Sequence, residues 1–348
     1  MSEFQLSLLS IGVVVIVAVY TYGRWQQWRY QRSVNKPDLS DVRDSLRSPV
    51  IGDAQVNPSS ASEATHFIPT SNAETDAKLD ERTDYIVHFI LKFPLTAQAL
   101  DGFWARRFDY SKTVQTIGCN AATGAWERVI PEGRISYSEF KVGLQLVDRN
   151  GAISDTRLAD FRELLGEIGR KLEADLTLPM VESAMERARE LDKFCAEVDQ
   201  IVGINIVPNS ERVLFGSELA NTLQTVGMSL QADGTFHQFD SEGATLFTLS
   251  SAEGIPFQHH TLDQMQVGNL TLLLDIPRVQ DAVIHFDEMT MLAMEVAAIL
   301  RASLVDDQRV ILSKGAIEKM RTQIETVLQR MQAGGVIAGS ETALRLFP

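Results

Sequence analysis

Cysteine is almost absent from this chain of 348 residues, which holds only Cys119 and Cys195. Two cysteines are too few for a disulfide scaffold or a cysteine-rich zinc site, and they fit a reducing compartment. Basic residues are also scarce, because 32 Lys and Arg stand against 46 Asp and Glu, for a formal net charge of −14. The chain therefore lacks the basic surface that a general nucleic-acid binder needs. The composition argues against an extracellular scaffold and against a nucleic-acid-binding protein.

Catalytic motifs are missing as well. The sequence holds no phosphate-binding G-x-x-x-x-G-K-[ST] loop, no G-x-S-x-G nucleophile elbow and no H-E-x-x-H zinc motif. His259 and His260 are adjacent, and neighbouring side chains of an extended loop point apart, so we expect a solvated loop rather than a metal site. Neither cysteine has a histidine beside it to activate the thiol. We therefore predict that the protein is not an enzyme and uses no cofactor, metal or small-molecule substrate.

One long apolar run lies near the N-terminus. Residues 6–22 (LSLLSIGVVVIVAVYTY) are almost wholly apolar, and about 20 helical residues span a hydrocarbon core of about 30 Å. A cleaved signal peptide has basic residues before its apolar run and small residues after it, whereas here Glu3 precedes the run and Arg24 follows. We predict a transmembrane helix over residues 6–23, preceded by a short external N-terminus at 1–5.

The flanks of this run predict its orientation. Arg24, Arg29 and Arg32 follow the span and no basic residue precedes it, so the positive-inside rule places the C-terminal side in the cytoplasm. Residues 24–83 then form a basic juxtamembrane segment and a flexible linker, because the stretch is rich in Ser, Asp, Ala, Asn and Pro and has little apolar surface to bury. The sequence thus predicts a single-pass protein of the inner (cytoplasmic) membrane with a cytoplasmic C-terminal part.

Beyond the linker, two stretches show the same order of strands and helices. An offset of 128 residues relates their apolar positions. With this offset, Val142, Leu144 and Leu146 correspond to Leu270, Leu272 and Leu274. Any strand followed by an amphipathic helix can be slid into register, which leaves coincidence as the alternative. Long helices that follow strands without βαβ alternation favour an α+β fold. We predict two-layer domains at 84–198 and 199–331, each an antiparallel sheet covered by helices on one face and related by duplication, and a flexible tail at 332–348.

The strand at 270–275 carries the most informative position. Its side chains alternate, so Leu270, Leu272 and Leu274 face the helices while Leu273 lies on the opposite face, which should be in water. A single exposed leucine is normal in soluble proteins. The alternative is a shallow apolar groove on which a partner peptide places its anchors. The pattern alone leaves both interpretations open.

Several short motifs together give a family resemblance. They occur in the order Gly216-Ser-Glu-Leu, Phe236-His237, Ala244-Thr-Leu-Phe-Thr-Leu, Thr271-Leu-Leu-Leu-Asp-Ile-Pro277 and Leu304-Val-Asp-Asp-Gln-Arg309. In this order and spacing, and after one membrane span and a tether, they resemble the ZipA family of bacterial division proteins, which anchor FtsZ to the membrane. The resemblance implies a six-stranded antiparallel sheet, no catalysis, and a shallow apolar groove that takes the C-terminal tail of FtsZ.

The resemblance also implies groove positions. By local alignment these are Ile201, Asp233, Thr235, Ala252, Thr271, Leu273 and Arg309. Asp233, Thr235 and Ala252 stand where the family places larger apolar residues, so the groove is expected to be thinner. The domain at 84–198 is a second departure, since its face would show Gly143, Gln145 and Val147 in place of groove residues.

Two functions follow as hypotheses. The first is a division-site membrane tether that binds the FtsZ C-terminal peptide through the open sheet face. The second is a membrane-anchored sensor or scaffold that holds a small ligand between its two α+β domains. An open apolar sheet face favours the tether, and a closed polar pocket between the domains favours the sensor.

Overall fold

The computed structural model describes residues 79–209 and 213–348 of the chain. The transmembrane helix expected at 6–23 and most of the linker expected at 24–83 lie outside the described residues. Within the described ranges, no helix is both long and apolar enough to cross a membrane. The fold is of mixed α and β type with antiparallel sheets, as the sequence predicts.

The first sheet has five strands in the order β3-β2-β4-β1-β7, and every neighbouring pair is antiparallel. The strands are β1 (Asp84–Thr96), β2 (Val114–Asn120), β3 (Trp126–Arg128), β4 (Ser136–Gln145) and β7 (Asp175–Thr177), with a separate hairpin of β5 (Val147–Asp148) and β6 (Gly151–Ala152). The helices are α1 (Asp101–Trp104), α2 (Asp155–Lys171) and α3 (Val181–Val198).

Helix α2 covers this sheet with an apolar stripe. Leu158, Phe161 and Leu165 are fully buried at helical spacing. The helix begins at Asp155 because the Ser154 side chain accepts a hydrogen bond from the Arg157 backbone N–H, which satisfies a donor that has no partner within the helix. The first core therefore forms between the sheet and α2. The strands contribute apolar side chains at every second position, and α2 contributes them at helical spacing.

The second sheet has six strands in the order β10-β11-β12-β14-β8-β15. They are β8 (Ile201–Pro208), β10 (Ser229–Leu230), β11 (Phe236–Phe239), β12 (Thr245–Ser251), β14 (Leu270–Asp275) and β15 (Ala302–Val305), and β9 (Leu214–Phe215) pairs with β13 (Gln266–Val267) apart from them. The helices are α4 (Gly216–Thr225), α5 (Ala282–Leu300), α6 (Lys314–Ala333) and α7 (Glu341–Leu346). Helix α5 packs against β8, β12, β14 and β15, and thus covers one face of the sheet.

The two sheets share part of their order. In the first, β4, β1 and β7 lie side by side, and α2 connects β4 to β7; in the second, β14, β8 and β15 lie side by side, and α5 connects β14 to β15. The attached hairpins differ, because β2–β3 joins β4 through its first strand and β11–β12 joins β14 through its second. The duplication stays a prediction. The shared order of three strands and a connecting helix supports it, whereas the different attachment of the two hairpins argues against it.

The C-terminal segment differs from the flexible tail expected at 332–348. Residues 341–348, here called the C-terminal clamp, include α7, and Leu346 and Phe347 are fully buried. Arg345 forms an ion pair with the carboxylate of Asp84, a residue of β1 in the first sheet. The Arg278 guanidinium donates a hydrogen bond of 2.6 Å to the Phe347 carbonyl. The clamp therefore bonds both to the first sheet and to the turn that follows β14.

The face expected to be bare on the first sheet is also covered by the chain itself. A side chain at Gly143 would collide with Leu79, which belongs to the expected linker and instead packs on the sheet. The Gln145 side chain is buried, and its amide donates to the carbonyls of Val147 at 2.6 Å and of Arg345 at 2.8 Å. Gln145 and Val147 are therefore interior residues rather than an exposed counterpart of the groove.

Candidate partner-binding face

The strand register of the second sheet separates two rows of side chains. Phe236, Leu249, Leu272 and Ile204 stand opposite one another on successive strands, and all are buried. The next row consists of His237, Thr248, Leu273 and Gly203, which point to the other side. We call this second side, opposite α5, the open face. The row with Leu273 crosses its centre.

Leu273 forms the apolar centre of the open face. It is partly exposed and stands between Thr248 of β12 and Gly203 of β8. A Cβ atom at Gly203 would lie only 3.1 Å from Leu273 Cδ2. Because glycine has no side chain, the leucine side chain has room to lean over β8 at this position.

Thr271 belongs to a series of side-chain hydrogen bonds that extends toward β15. Its hydroxyl donates a hydrogen bond of 2.7 Å to the Asn205 side-chain oxygen, and the Asn205 amide donates at 3.0 Å to Asp307. These bonds fix the Thr271 rotamer, so its methyl group presents a constant surface beside Leu273. Asp307 lies in the turn that also contains Arg309.

Ile201 lies at another end of the face, where it pairs with Asp275 in the β14–β8 register. Its side chain is exposed by 55%. Asp275 is held by Arg149, which comes from the β5–β6 turn and forms bonds of 2.7 Å with both Asp275 and Asp199. We call residues 84–198, which contain the first sheet, the first unit, and residues 199–348 the second unit. Burial raises the pKa of Asp275 even though Arg149 opposes the shift. The first unit thus supplies a boundary of the open face.

Asp233 and Thr235 form a polar cluster at the opposite side. The Asp233 carboxylate accepts hydrogen bonds from the Thr235 backbone N–H at 3.0 Å and from its hydroxyl at 2.9 Å, and lies 2.9 Å from His237 Nε2. His237 Nδ1 lies 3.0 Å from the Thr245 hydroxyl, and its ring stacks on that of Phe239 with centroids 5.6 Å apart. Asp233 and Thr235 are two of the positions at which the resemblance implies larger apolar residues, and the structure joins them to His237 in one hydrogen-bonded network.

Acid should weaken this cluster. Partial burial opposes ionisation of Asp233, but the hydrogen bonds from Thr235 and His237 outweigh it and hold the pKa of Asp233 below its ordinary value. A carboxylate with a lowered pKa in the folded state stabilises the fold above its unfolded-state pKa, and this stabilisation is lost as the pH falls through the lower, folded-state pKa. We expect Asp233→Asn to flatten the fall in melting temperature below about pH 4. Thermal unfolding followed by circular dichroism from neutral to acid pH measures this, and an unchanged slope would contradict it.

The remaining two expected positions lie at the rim. Ala252 follows β12 and is exposed, and its backbone N–H bonds to the Asn269 carbonyl at 3.0 Å. Arg309 is exposed in the turn after β15, with a left-handed φ of 62°. The structure thus places Leu273, Thr271 and Ile201 together on the central strands of the open face, while Ala252 and Arg309 lie in the segments that follow β12 and β15.

Sequence reasoning missed several residues of this face. His237, Phe239, Thr248, Gly203 and Asn205 share it with the expected positions. Alternation along β12 could have identified Thr248 once Leu249 was assigned to the core. Alternation along β11 could likewise have placed Phe239 on the side of His237 once Phe236 was assigned to the core.

Comparison with known proteins gives this face a context. Residues 200–323 match the family described as ZipA, C-terminal FtsZ-binding domain. The second sheet, from β8 to the first half of α6, is therefore similar to the ZipA C-terminal domain. That family is one of cell-division scaffold proteins and not of enzymes, which agrees with the sequence prediction.

Curated relatives carry the same name. The Cell division protein ZipA of Pseudomonas syringae pv. syringae (strain B728a) is 26% identical over 138 residues, which are 38% of this chain and 48% of that protein. The protein of the same name from Pseudomonas aeruginosa (strain UCBPP-PA14) is 26% identical over 133 residues, which are 37% of this chain and 46% of that protein. The chain thus matches slightly less than half the length of these ZipA proteins.

Proposed function

We propose that this protein is a membrane-anchored cell-division protein that tethers FtsZ polymers to the cytoplasmic membrane. In this proposal, the C-terminal tail of FtsZ binds on the open face, with Ile201, Asp233, Thr235, Ala252, Thr271, Leu273 and Arg309 among its contacts. The observation that carries the proposal is Leu273, a partly exposed leucine at the centre of a sheet face that α5 does not cover. The match of residues 200–323 to an FtsZ-binding domain supports the choice of partner.

The geometry suits a short peptide. A sheet face whose apolar centre is bordered by polar groups offers a few anchor positions and a polar rim, which is the usual anatomy of a peptide-binding surface. The apolar contribution comes from Leu273, from the methyl group of Thr271 and from Ile201. Arg309 at the rim is expected to add a weak, salt-sensitive contact with acidic residues of the tail.

The sensor hypothesis predicts a ligand pocket between the two units. A cavity of about 500 Å³ lies instead between α2 and the segment after β7. Its lining residues are Ala159, Arg162, Glu163, Gly166, Arg170, Leu176, Leu178 and Val181, all of the first unit. This cavity is therefore not the pocket between the units that the sensor hypothesis predicts.

A binding measurement tests the proposal directly. The purified full chain is titrated into a fluorescent peptide of the FtsZ C-terminal tail from the same organism, and anisotropy is recorded. The full chain is preferable to residues 199–348 alone, because the C-terminal clamp packs against β1 of the first sheet. Saturable binding supports the proposal, whereas an unchanged anisotropy at high protein concentration would remove FtsZ as the partner.

The membrane part of the proposal has its own test. It rests on the apolar residues 6–22 and on the arginines that follow them. We expect a reporter that is active only in the cytoplasm to be active when fused through a flexible linker after Pro348. A reporter that works only outside the membrane should be silent at the same position. The reverse pattern would overturn the proposed topology, and loss of membrane association would be expected on deleting residues 1–23.

A further inference from the structure

The polar border of the open face has a shape that suits one kind of ligand side chain. Asp233, His237 and Phe239 follow one another along the β11 side of the face, as a carboxylate, an imidazole and a phenyl ring. We propose that this row is a subsite for a cationic side chain, Lys or Arg, of the peptide that docks on the open face. The inference rests on the proposed function and specifies the chemistry of its partner.

The first support is the state of the carboxylate. The Asp233 side chain is 55% exposed, and its contacts with Thr235 and His237 leave oxygen lone pairs directed to solvent. Aspartate is ionised at neutral pH, and the same contacts hold the pKa of Asp233 below its ordinary value, so the charge persists in mild acid. A fixed negative charge is therefore available at the border without any rearrangement.

The second support is the fixed position of this charge. Thr235 and His237 hold the carboxylate, and His237 is itself held by Thr245 and stacked on Phe239. A bound side chain would therefore meet a preorganised partner, which lowers the entropic cost of forming the contact. The partly exposed Phe239 ring offers an apolar surface for the methylene stem of Lys or Arg.

Other charges near the face do not compete for this role. Asp275 is paired with Arg149. Asp307 accepts a hydrogen bond from the Asn205 amide near the β15 edge of the sheet, away from β11. Arg309 follows β15, a strand that lies about 19 Å from β11 at the usual strand spacing. The cationic residue of the peptide should therefore occupy the β11 side and so fix the direction in which the peptide lies on the sheet.

A double-mutant cycle tests the subsite. The full chain and its Asp233→Asn variant are titrated against the FtsZ C-terminal peptide and against versions in which each Lys or Arg is changed to Gln in turn. We expect Asp233→Asn to weaken binding of the parent peptide about fivefold at low ionic strength, and less at high salt. One Gln peptide should lose a similar factor with the unchanged protein and lose nothing further with Asp233→Asn.

The controls separate this inference from the proposed function. Glu242→Gln removes a charge from the exposed turn at the other end of β11 and should leave all affinities unchanged. Asparagine keeps an acceptor for the Thr235 N–H, and the peptide series on the unchanged protein needs no folded variant at all. If the parent peptide binds but no substituted peptide couples to Asp233, or if Asp233→Asn binds more tightly, the subsite is wrong and the proposed function stands. If the parent peptide does not bind, both fall.

Discussion

Replacing Leu273 with aspartate is expected to lower the affinity for the FtsZ C-terminal peptide at least thirtyfold. Leu273 stands at the centre of the open face, between Thr248 and Gly203. A peptide anchor that covers it would desolvate the new carboxylate without pairing it, at a cost of at least ~2 kcal/mol. The fold should persist because the side chain points away from the core under α5.

The matched control is Ile284→Asp. Ile284 lies on α5, on the covered side of the sheet, and its side chain is exposed by 58%. The change introduces the same charge at an exposed apolar position away from the open face, so peptide affinity should stay the same. Anisotropy titrations of both variants, with circular dichroism to confirm folding, give the comparison. Normal peptide binding by a folded Leu273→Asp variant would show that the open face is not the binding site.

Replacing Arg345 with methionine is expected to destabilise the protein by about 3–5 kcal/mol. Arg345 pairs with Asp84, whose side chain is fully buried. Methionine fills similar space but leaves a buried carboxylate without its cation. The Thr83 hydroxyl and the Asp80 backbone N–H, 3.2 Å and 2.9 Å from Asp84 Oδ2, compensate only in part. Urea unfolding followed by circular dichroism measures the loss.

Two further variants separate charge from packing. Arg330→Met changes an exposed arginine of α6 and should be nearly neutral. The double variant Asp84→Asn, Arg345→Met removes both charges and should recover part of the stability. If the single variant Arg345→Met is as stable as the parent, the C-terminal clamp does not contribute to the stability of the first unit.

Local alternation predicted the central strand β14 of the second sheet. The strand at 270–275 has the bounds that its alternation indicates. The inward leucines Leu270, Leu272 and Leu274 are fully buried. Such features depend on residues close in sequence, so periodicity contains the information.

Features that join distant parts of the chain were less predictable. The C-terminal clamp was expected to be a flexible tail, although Ser340 caps its helix and Ala343, Leu346 and Phe347 have helical spacing. A six-residue helix is unstable alone, and only its contacts with β1 and with the turn after β14 order it. Likewise, no pattern in the sequence places Arg149 beside Asp275.

The candidate face was predicted in part. Alternation placed Thr271 and Leu273 on one side of β14, and the register confirms that they share a face. The network around Asp233 could not be inferred, because it depends on a turn that brings Asp233 back to His237. Whether these residues bind FtsZ stays a prediction.

The position of Leu79 has a mechanical consequence. Leu79 packs beside Gly143 on the first sheet, and the chain continues from it into β1, which lies between β4 and β7 and is antiparallel to both. A pull on the preceding residues would act along β1, while its interstrand hydrogen bonds lie perpendicular to that direction. Such a load shears many bonds at once instead of peeling them one by one. The ion pair of Asp84 with Arg345 lies at the same end of β1, so the last helix of the chain would share the force.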